Sequence, residues 1–136
     1  KNKKIDQQVN TVSLFWETIG ENMDQWKGVR VGNLSASEVR RDFIHTHVII
    51  LQALGHMGKD LLKQFPTIWK SKLKNLNKIN WLKNNSIWQQ RVIINGRVVK
   101  NNNSIILASN VIKKALGIKL DAKEKALESQ VKKSGK

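Results

Sequence analysis

Sixty consecutive residues of this chain, 61–120, contain no Asp or Glu while carrying twelve Lys and Arg. A compact body normally intersperses both signs of charge, because like charges held together repel and lower stability unless a polyanion or salt neutralises them. Residues 1–60 hold eight basic and seven acidic side chains, and residues 121–136 hold five and three. We therefore treat residues 61–120 as a basic module within a chain of net charge +15.

Length and composition exclude several classes of protein. A chain of 136 residues fits a single domain, 1–136, that can bury a core without a metal or disulfide. The absence of Cys excludes disulfide frameworks, thiolate nucleophiles and Cys-based metal sites. The longest apolar stretch, 48–54, is far shorter than the ~20 residues of a membrane-spanning helix. Because the chain opens on Lys1 with a helical pattern, we expect a fragment of a longer protein.

The first half of the chain reads as helix. Apolar residues at steps of three and four predict a helix over 5–19 and a short helical turn over 22–27. Ser35 followed by Glu38 has the spacing of a capping box, which marks the start of a helix that runs from 36 to about 64. This long helix is apolar on more than half of its circumference, so we expect it at the centre of the core.

The second half begins at Pro66, which favours the first turn of a helix. An apolar stripe of Ile68, Trp69, Leu73 and Leu76 predicts that helix. Lys70, Lys74 and Lys78 follow at steps of four along another face. Two β-branched runs joined by Asn95-Gly96 predict a short hairpin at 91–100.

The last third of the chain returns to helix. Ser104 is placed to cap a helix that runs to Leu116 and ends at Gly117. Asp121 with Glu124 repeats the capping-box spacing before a last, mostly polar helix. The predicted fold class is mainly all-α: a compact helical domain around a central long helix, with a short β-hairpin at 91–100.

The histidines and the glycine pair do not form a catalytic or metal-binding motif. On a helix His45 and His47 point apart, and His45 and His56 lie about 16 Å apart along the axis. The string at 55–59, GHMGK, lacks the spacing of a phosphate-binding loop and follows a helical pattern, so close packing of two helices explains it better. We predict no catalytic residue, no metal, no cofactor and no enzymatic activity.

The cations of the basic module predict contacts to nucleic-acid phosphates. Lys and Arg that neutralise phosphates release condensed counterions, a gain that grows with the number of contacts. Arg91 and Arg97 are also suited to read guanine, and residues 101–103, all Asn, to read adenine. The predicted DNA-binding residues are Lys70, Lys74, Lys78, Arg91, Arg97, Lys100, Lys113 and Lys114.

Three alternatives stay open at this point. The basic residues can form a solvated surface with no ligand, since twenty Lys and fourteen Asn are also typical of genes rich in A and T. A protein-interaction module would dock an acidic partner or the missing N-terminal region, and it predicts an exposed apolar patch beside the charge. RNA binding is favoured if Trp81 and Trp88 are exposed and stack on bases.

Six strings along the chain carry a resemblance: FIHTHVIILQALGHMGKDLL at 43–62, W-x-x-x-L-x-x-L at 69–76, INW at 79–81, Trp88 with Arg91, GRV at 96–98 and NVIKKALGIKL at 110–120. Together they resemble the C-terminal part of DGQHR-domain proteins, the family that includes DndB of the bacterial DNA phosphorothioation (sulfur modification) system. The namesake Asp-Gly-Gln-His-Arg string is absent, as expected for a C-terminal fragment. Any activity that depends on that string cannot be assigned to this chain.

The resemblance implies a cytoplasmic bacterial protein associated with DNA. It implies regulation of the modification genes and an influence on which genomic sites are modified. The implied partners are double-stranded DNA and other DNA sulfur-modification proteins, and no membrane. It supplies no catalytic residue for these positions, and neither the DNA target nor the oligomeric state follows from it.

Overall fold

The computed structural model describes residues 2–32 and 34–134, and side chains for 9–32 and 34–131. Its helices, in chain order, are α1 (Asn2–Glu21), α2 (Asp24–Arg30), α3 (Ala36–Asp42), α4 (Val48–Gln64), α5 (Trp69–Leu73), α6 (Asn102–Leu116) and α7 (Ala122–Ser134). Two short 3₁₀ helices, Lys74–Lys78 and Ser86–Trp88, and a hairpin of β1 (Ile93–Ile94) and β2 (Arg97–Val98) lie between α5 and α6. The prediction of a mainly all-α protein is confirmed.

The core forms where α4 packs against α6, the most extensive contact between two helices. Leu54, Met57 and Leu61 of α4 are fully buried, and so are Ala108 and Ile112 of α6. One continuous apolar cluster joins them to residues of α1, α5, the 3₁₀ helices and the hairpin. The helix at the centre is therefore α4, which is the second part of the predicted long helix.

The prediction of one helix from 36 to 64 is wrong, because the chain leaves the helical conformation between Phe43 and His47. Ser35 caps α3 as predicted and accepts the Glu38 N–H. Phe43 is then extended (φ −117°, ψ 146°) and pairs with Leu82 as a β-bridge. A pairing with a distant segment thus replaces the helical hydrogen bonds, and the apolar pattern alone does not reveal it.

A column of four stacked rings stands behind this break. His45 lies between Trp26 and Trp81, with ring centroids 6.1 and 5.1 Å apart and planes within 14° of parallel. Trp88 extends the column at 5.5 Å from Trp81. Burial lowers the pKa of His45 to about 4, so its neutral ring donates through Nε2 to Gln25 Oε1 at 3.0 Å. The column joins α2, the break and the segment 79–88.

The helix predicted after Pro66 is shorter than expected. Pro66 lies in a turn, α5 starts only at Trp69, and a 3₁₀ helix replaces the α-helix from Lys74 to Lys78. A 3₁₀ helix has three residues per turn rather than 3.6. The prediction that the lysines follow one α-helical face at steps of four is therefore wrong beyond Lys74.

The hairpin predicted at 91–100 is confirmed. Ile93 pairs with Val98 and Ile94 with Arg97, around a turn in which both Asn95 (φ 54°) and Gly96 (φ 77°) are left-handed. Two positive φ values are what a two-residue type I′ turn requires, which explains the Asn-Gly sequence.

The ends of α6 correct one prediction and confirm another. The residue that caps the helix is Asn101 rather than Ser104, since Asn101 Oδ1 accepts the Ser104 N–H at 2.8 Å. At the other end Gly117 adopts φ 77°, the left-handed conformation that commonly closes a helix. The helix therefore begins at Asn102, and Ser104 is buried in its first turn.

α1 leaves part of its surface without a partner. Val9, Val12 and Trp16 are spaced by three and four residues along it, and each is more than a third exposed. The core receives other residues of this region, namely Phe15, Ile19 and the loop residue Met23. No helix of the described chain combines the length and the apolar character needed to cross a membrane.

The close packing predicted for the string at 55–59 is confirmed at one of its two glycines. A Cβ added at Gly58 would lie 2.5 Å from Cζ of Phe15, whereas a Cβ at Gly55 would meet no atom within 4 Å. Phe15 is buried and its ring contacts Trp16 and Trp69. Gly58 is therefore the position at which α1 rests on α4.

We predict that Gly58→Ala destabilises the protein by about 1–3 kcal/mol, because the added methyl group forces the buried Phe15 ring to move. Gly55→Ala, in the same helix, should stabilise it by about 0.5–1 kcal/mol through helix propensity. Urea denaturation of both variants measures the two effects. Equal changes in the free energy of unfolding would show that the contact with Phe15 is not a constraint.

Candidate nucleic-acid interface

Arg91, one of the eight predicted DNA-binding residues, is held by the C-terminal helix. Both of its Nη atoms donate to the two carboxylate oxygens of Glu128 on α7, with Nη2 to Oε2 at 2.8 Å. The two side chains are only 12% and 6% exposed. Burial raises the pKa of Glu128, but the hydrogen bonds and charge of Arg91 outweigh this effect and hold it at about 2. Arg91 is therefore not free to read a base, and we correct that prediction.

Lys113 is the second correction, because its side chain is completely buried. Its Nζ donates to Asp60 of α4 and to Glu124 of α7. Burial alone would lower the pKa of Lys113, but the two carboxylates raise it above its usual value. A buried charge with two partners joins three helices and cannot reach a phosphate, so we exclude Lys113 from the predicted contacts.

Lys114 is half exposed and donates to Glu128 Oε2 at 3.2 Å. The predicted capping box lies at the start of α7, where the side chains of Asp121 and Glu124 each accept the other's backbone N–H. Glu124 also contacts His56 Nε2 at 3.3 Å. α7 is thus attached to the body by its two buried carboxylates, those of Glu124 and Glu128.

The other five predicted cations are exposed, and within the described residues none of them has an ion pair. These are Lys70, Lys74, Lys78, Arg97 and Lys100. The ion pairs of the described residues involve Arg41, His56, Arg91, Lys113 and Lys114 instead. The structure therefore separates the basic module into inner cations that are neutralised within the protein and outer cations that are not.

A first group of outer cations lines a cleft of about 630 Å³ between α1, α2 and α5, which we call the lysine cleft. It brings Lys70 and Lys74 of the prediction together with Lys27, which the sequence did not single out. Glu21 is the one acidic residue among its lining residues. The excess of positive charge makes the cleft suitable for an anion.

A second group surrounds His47 and is called here the Arg40 cluster: Arg40, His47, Lys83 and Lys100. His47 Nε2 donates to the Arg40 carbonyl at 3.1 Å, and the Lys83 N–H donates to the carbonyl of Asp42 at 2.9 Å. Burial lowers the pKa of His47, and the charges of Lys83, Arg40 and Lys100 lower it further. Three positive charges from separate parts of the chain, those of Arg40, Lys83 and Lys100, thus lie close to His47.

Of the Arg40 cluster, only Lys100 was predicted. Arg40 and Lys83 come together because the β-bridge between Phe43 and Leu82 aligns the two segments that carry them. The sequence gives no signal for this bridge. The acidic neighbour Asp42 is bound by Arg41 at 3.1 Å and therefore offsets the cluster only in part.

A further cleft, of about 330 Å³ and called here the amide cleft, adjoins the lysine cleft. It shares Asn22 with the lysine cleft, and its wall includes Phe43 and Leu82, the bridge next to Lys83. Its polar lining residues are Asn22, Asp24, Gln25, Asn77 and Asn80, and its apolar ones are Phe43, Leu76, Ile79, Trp81 and Leu82. The two clefts therefore adjoin at Asn22, and the bridge in the wall of the amide cleft connects the two segments that carry Arg40 and Lys83.

The tryptophans proposed for base stacking are buried, so the condition that favoured RNA binding is not met. Trp81 is 5% exposed and Trp88 is fully buried, and Trp88 Nε1 donates to the Asn80 carbonyl at 2.7 Å. Both faces of Trp81 are covered by rings of the column. Asn102 and Asn103 remain exposed beside Arg91 in a cleft of about 470 Å³, whereas Asn101 serves as a helix cap.

We predict that Glu128→Gln lowers the free energy of unfolding at pH 7 by about 3 kcal/mol, because Arg91 loses its counter-charge in a buried site. The folded pKa of Glu128 lies below its usual value of 4.5, so its stabilising effect is present above pH 4.5 and is lost as the pH falls towards 2. Urea denaturation between pH 7 and pH 2.5 should show the wild type and the variant converging. A difference that is independent of pH would contradict this role of Glu128.

Comparison with known proteins identifies the family of the chain. The family model described as DndB, DNA-sulfur modification-associated, matches residues 1–119 and ends before α7. No curated protein and no solved structure matches the chain. Since the match covers all but the last seventeen residues, the chain belongs to the DndB family of DNA-sulfur-modification-associated proteins.

Proposed function

We propose that this chain is a non-enzymatic DNA-binding part of a DNA sulfur-modification regulator, and that it contacts duplex phosphates through its outer cations. The observation that carries the proposal is the set of exposed cations without ion pairs in a chain of net charge +15. Such a surface raises the local concentration of a polyanion and gains free energy by counterion release. Membership of a family associated with DNA sulfur modification supports DNA as the polyanion.

The lysine cleft and the Arg40 cluster are the main phosphate-binding positions in this proposal. Lys70 and Lys74 act with Lys27 in the first, and Lys100 acts with Arg40 and Lys83 in the second. Lysine is a flexible point charge that neutralises phosphate without reading the sequence. These contacts supply affinity that depends strongly on salt.

Arg97 is the residue that we propose for direct reading of a base. It lies exposed beside the hairpin turn, next to the left-handed Gly96, and forms no ion pair with any side chain that the structure describes. A guanidinium on a narrow ribbon can enter a groove and form two hydrogen bonds to guanine. Asn102 and Asn103, exposed at the start of α6, offer amides for adenine.

The biological role that we propose follows the family: control of the modification genes and of the sites that are modified, inside the bacterial cytoplasm. Double-stranded DNA is the proposed partner, together with other proteins of the sulfur-modification system. Neither Lys113 nor Arg91 takes part in this proposal. Their charges are already neutralised by carboxylates of the protein.

A protein-interaction module is the second candidate. The apolar row of Val9, Val12 and Trp16 on α1 is the kind of exposed patch that this alternative requires. Such a module would bind heparin as well as DNA, because only its charge would act on either. Competition by heparin against duplex DNA separates the two candidates.

We predict that the double variant Lys70→Gln, Lys74→Gln makes the negative slope of log K against log salt concentration for duplex DNA less steep by about 2, since each phosphate contact contributes roughly −0.9. The matched control is Lys123→Gln, Lys125→Gln on α7, which removes the same charge from exposed positions outside both groups. Fluorescence anisotropy at several salt concentrations measures the slopes. The proposal fails if the two double variants weaken binding equally.

A further inference from the structure

The amide cleft presents hydrogen-bonding groups that the fold does not use. Gln25 Oε1 accepts from the neutral His45 ring, so the ring column orients the Gln25 amide, whose nitrogen has no hydrogen-bond acceptor among the described residues. Asn80 Oδ1 accepts the Leu82 N–H at 3.0 Å, which likewise fixes its amide and leaves its nitrogen without an acceptor in the described part of the chain. Two amide donors are thus oriented, one by the His45 ring and the other by the backbone of Leu82.

Acceptors line the same cleft. Asp24 forms no ion pair within the described chain, and Asn77 contacts Asn22 Oδ1 only through its nitrogen, at 3.5 Å. The carboxylate of Asp24 and the carbonyl oxygen of Asn77 therefore remain available. Donors and acceptors around one cavity suit a flat ligand whose edge carries both kinds of group.

The remaining wall of the cleft is apolar. Phe43 is half-buried and keeps part of its ring accessible, and Leu82 is exposed beside it. The faces of Trp81 are occupied, so Trp81 closes the cleft with its edge. A volume of about 330 Å³ lies at the lower end of the range for small-molecule sites, roughly 300–1,000 Å³. A single heterocycle, rather than a large cofactor, fits these limits.

Cations adjoin this cavity. The lysine cleft shares Asn22 with it, and the bridge between Phe43 and Leu82 in its wall joins the two segments that carry Arg40 and Lys83. We take the path of a nucleic-acid strand to run from Lys70 and Lys74, over the amide cleft, towards the Arg40 cluster. A free mononucleotide would use only one of these two cationic flanks.

We propose that the amide cleft binds one unstacked nucleobase of a DNA strand whose flanking phosphates lie on the lysine cleft and the Arg40 cluster. This inference rests on the proposed DNA binding and adds a site for a base outside the helix. Extruding a base is least costly where it is already unpaired. The preferred DNA is therefore a duplex with a bulge or mismatch rather than a fully paired one.

The experiment compares three duplexes of equal length: one fully paired, one with a single bulged adenosine, and one with an abasic residue at the bulge. The last two have the same phosphates and differ only in the base. Contact of one base with a protein site corresponds to about a tenfold gain in affinity. We expect the bulged adenosine to bind about ten times more tightly than the abasic bulge, and deoxyadenosine monophosphate to compete only weakly.

The variant Asn77→Phe places a ring in the cleft from an exposed position, and Asn84→Phe is the control at an exposed residue outside its lining. Asn77→Phe should abolish the preference for the base while leaving the affinity for the abasic bulge unchanged, and Asn84→Phe should keep both. Equal binding of the base and abasic duplexes by the wild type overturns this inference, and so does a preference that survives Asn77→Phe. Strong competition by the mononucleotide assigns the cleft to free nucleotides and also overturns it.

These results are distinguishable from failure of the proposed function. If the paired duplex binds with the salt dependence expected for the lysines but the base adds nothing, DNA binding stands and only the amide cleft loses its role. If no duplex binds in a manner that depends on Lys70 and Lys74, both proposals fall together.

Discussion

The stacking of His45 between Trp26 and Trp81 is the contact on which the arrangement of the candidate interface depends. An imidazole that is fully buried and has a pKa of about 4 stays neutral at physiological pH, so it packs as an aromatic ring. Its position requires the chain to leave the helix after Asp42, because a continuous helix would not place residue 45 against the segment 79–82. The same break positions Phe43 and aligns Arg40 with Lys83. The column thereby supports both the wall of the amide cleft and one of its cationic flanks.

The buried cations of the protein are paired with carboxylates, whereas the exposed ones face solvent. The basic module contains no acid of its own, so its inner cations draw counter-charges from outside it: Asp60 before it and the two glutamates of α7 after it. Removing one partner from a buried pair leaves a charge that water cannot reach, which is costly. An outer lysine has water as its alternative partner and needs no carboxylate. Counting cations along the sequence therefore overestimates the number available to DNA, because the count includes Arg91 and Lys113, whose side chains are buried in ion pairs.

Turns and helix ends could be predicted from the sequence, because each depends on hydrogen bonds and backbone conformations within a few residues. The Asn95-Gly96 turn, the caps at Ser35 and Asp121, and the end of α6 at Gly117 are each determined by a few neighbouring atoms. The break after Asp42 and the burial of Lys113 depend on residues far away in the chain, and hydrophobic periodicity does not encode such pairings. Six of the eight predicted cations, Lys114 among them, are exposed, as expected because Lys and Arg are rarely fully buried. Arg40 and Lys27 could not be connected to them without the tertiary structure.

The way α7 is attached has a consequence for how this family is delimited. The matched region stops at residue 119, yet Glu124 and Glu128 beyond it neutralise Lys113 and Arg91 within it. A recombinant protein trimmed at the edge of the sequence match would keep both cations and lose these two glutamates. We therefore expect a fragment that ends at residue 119 to be less stable than one that keeps α7, because Lys113 and Arg91 would lose these partners.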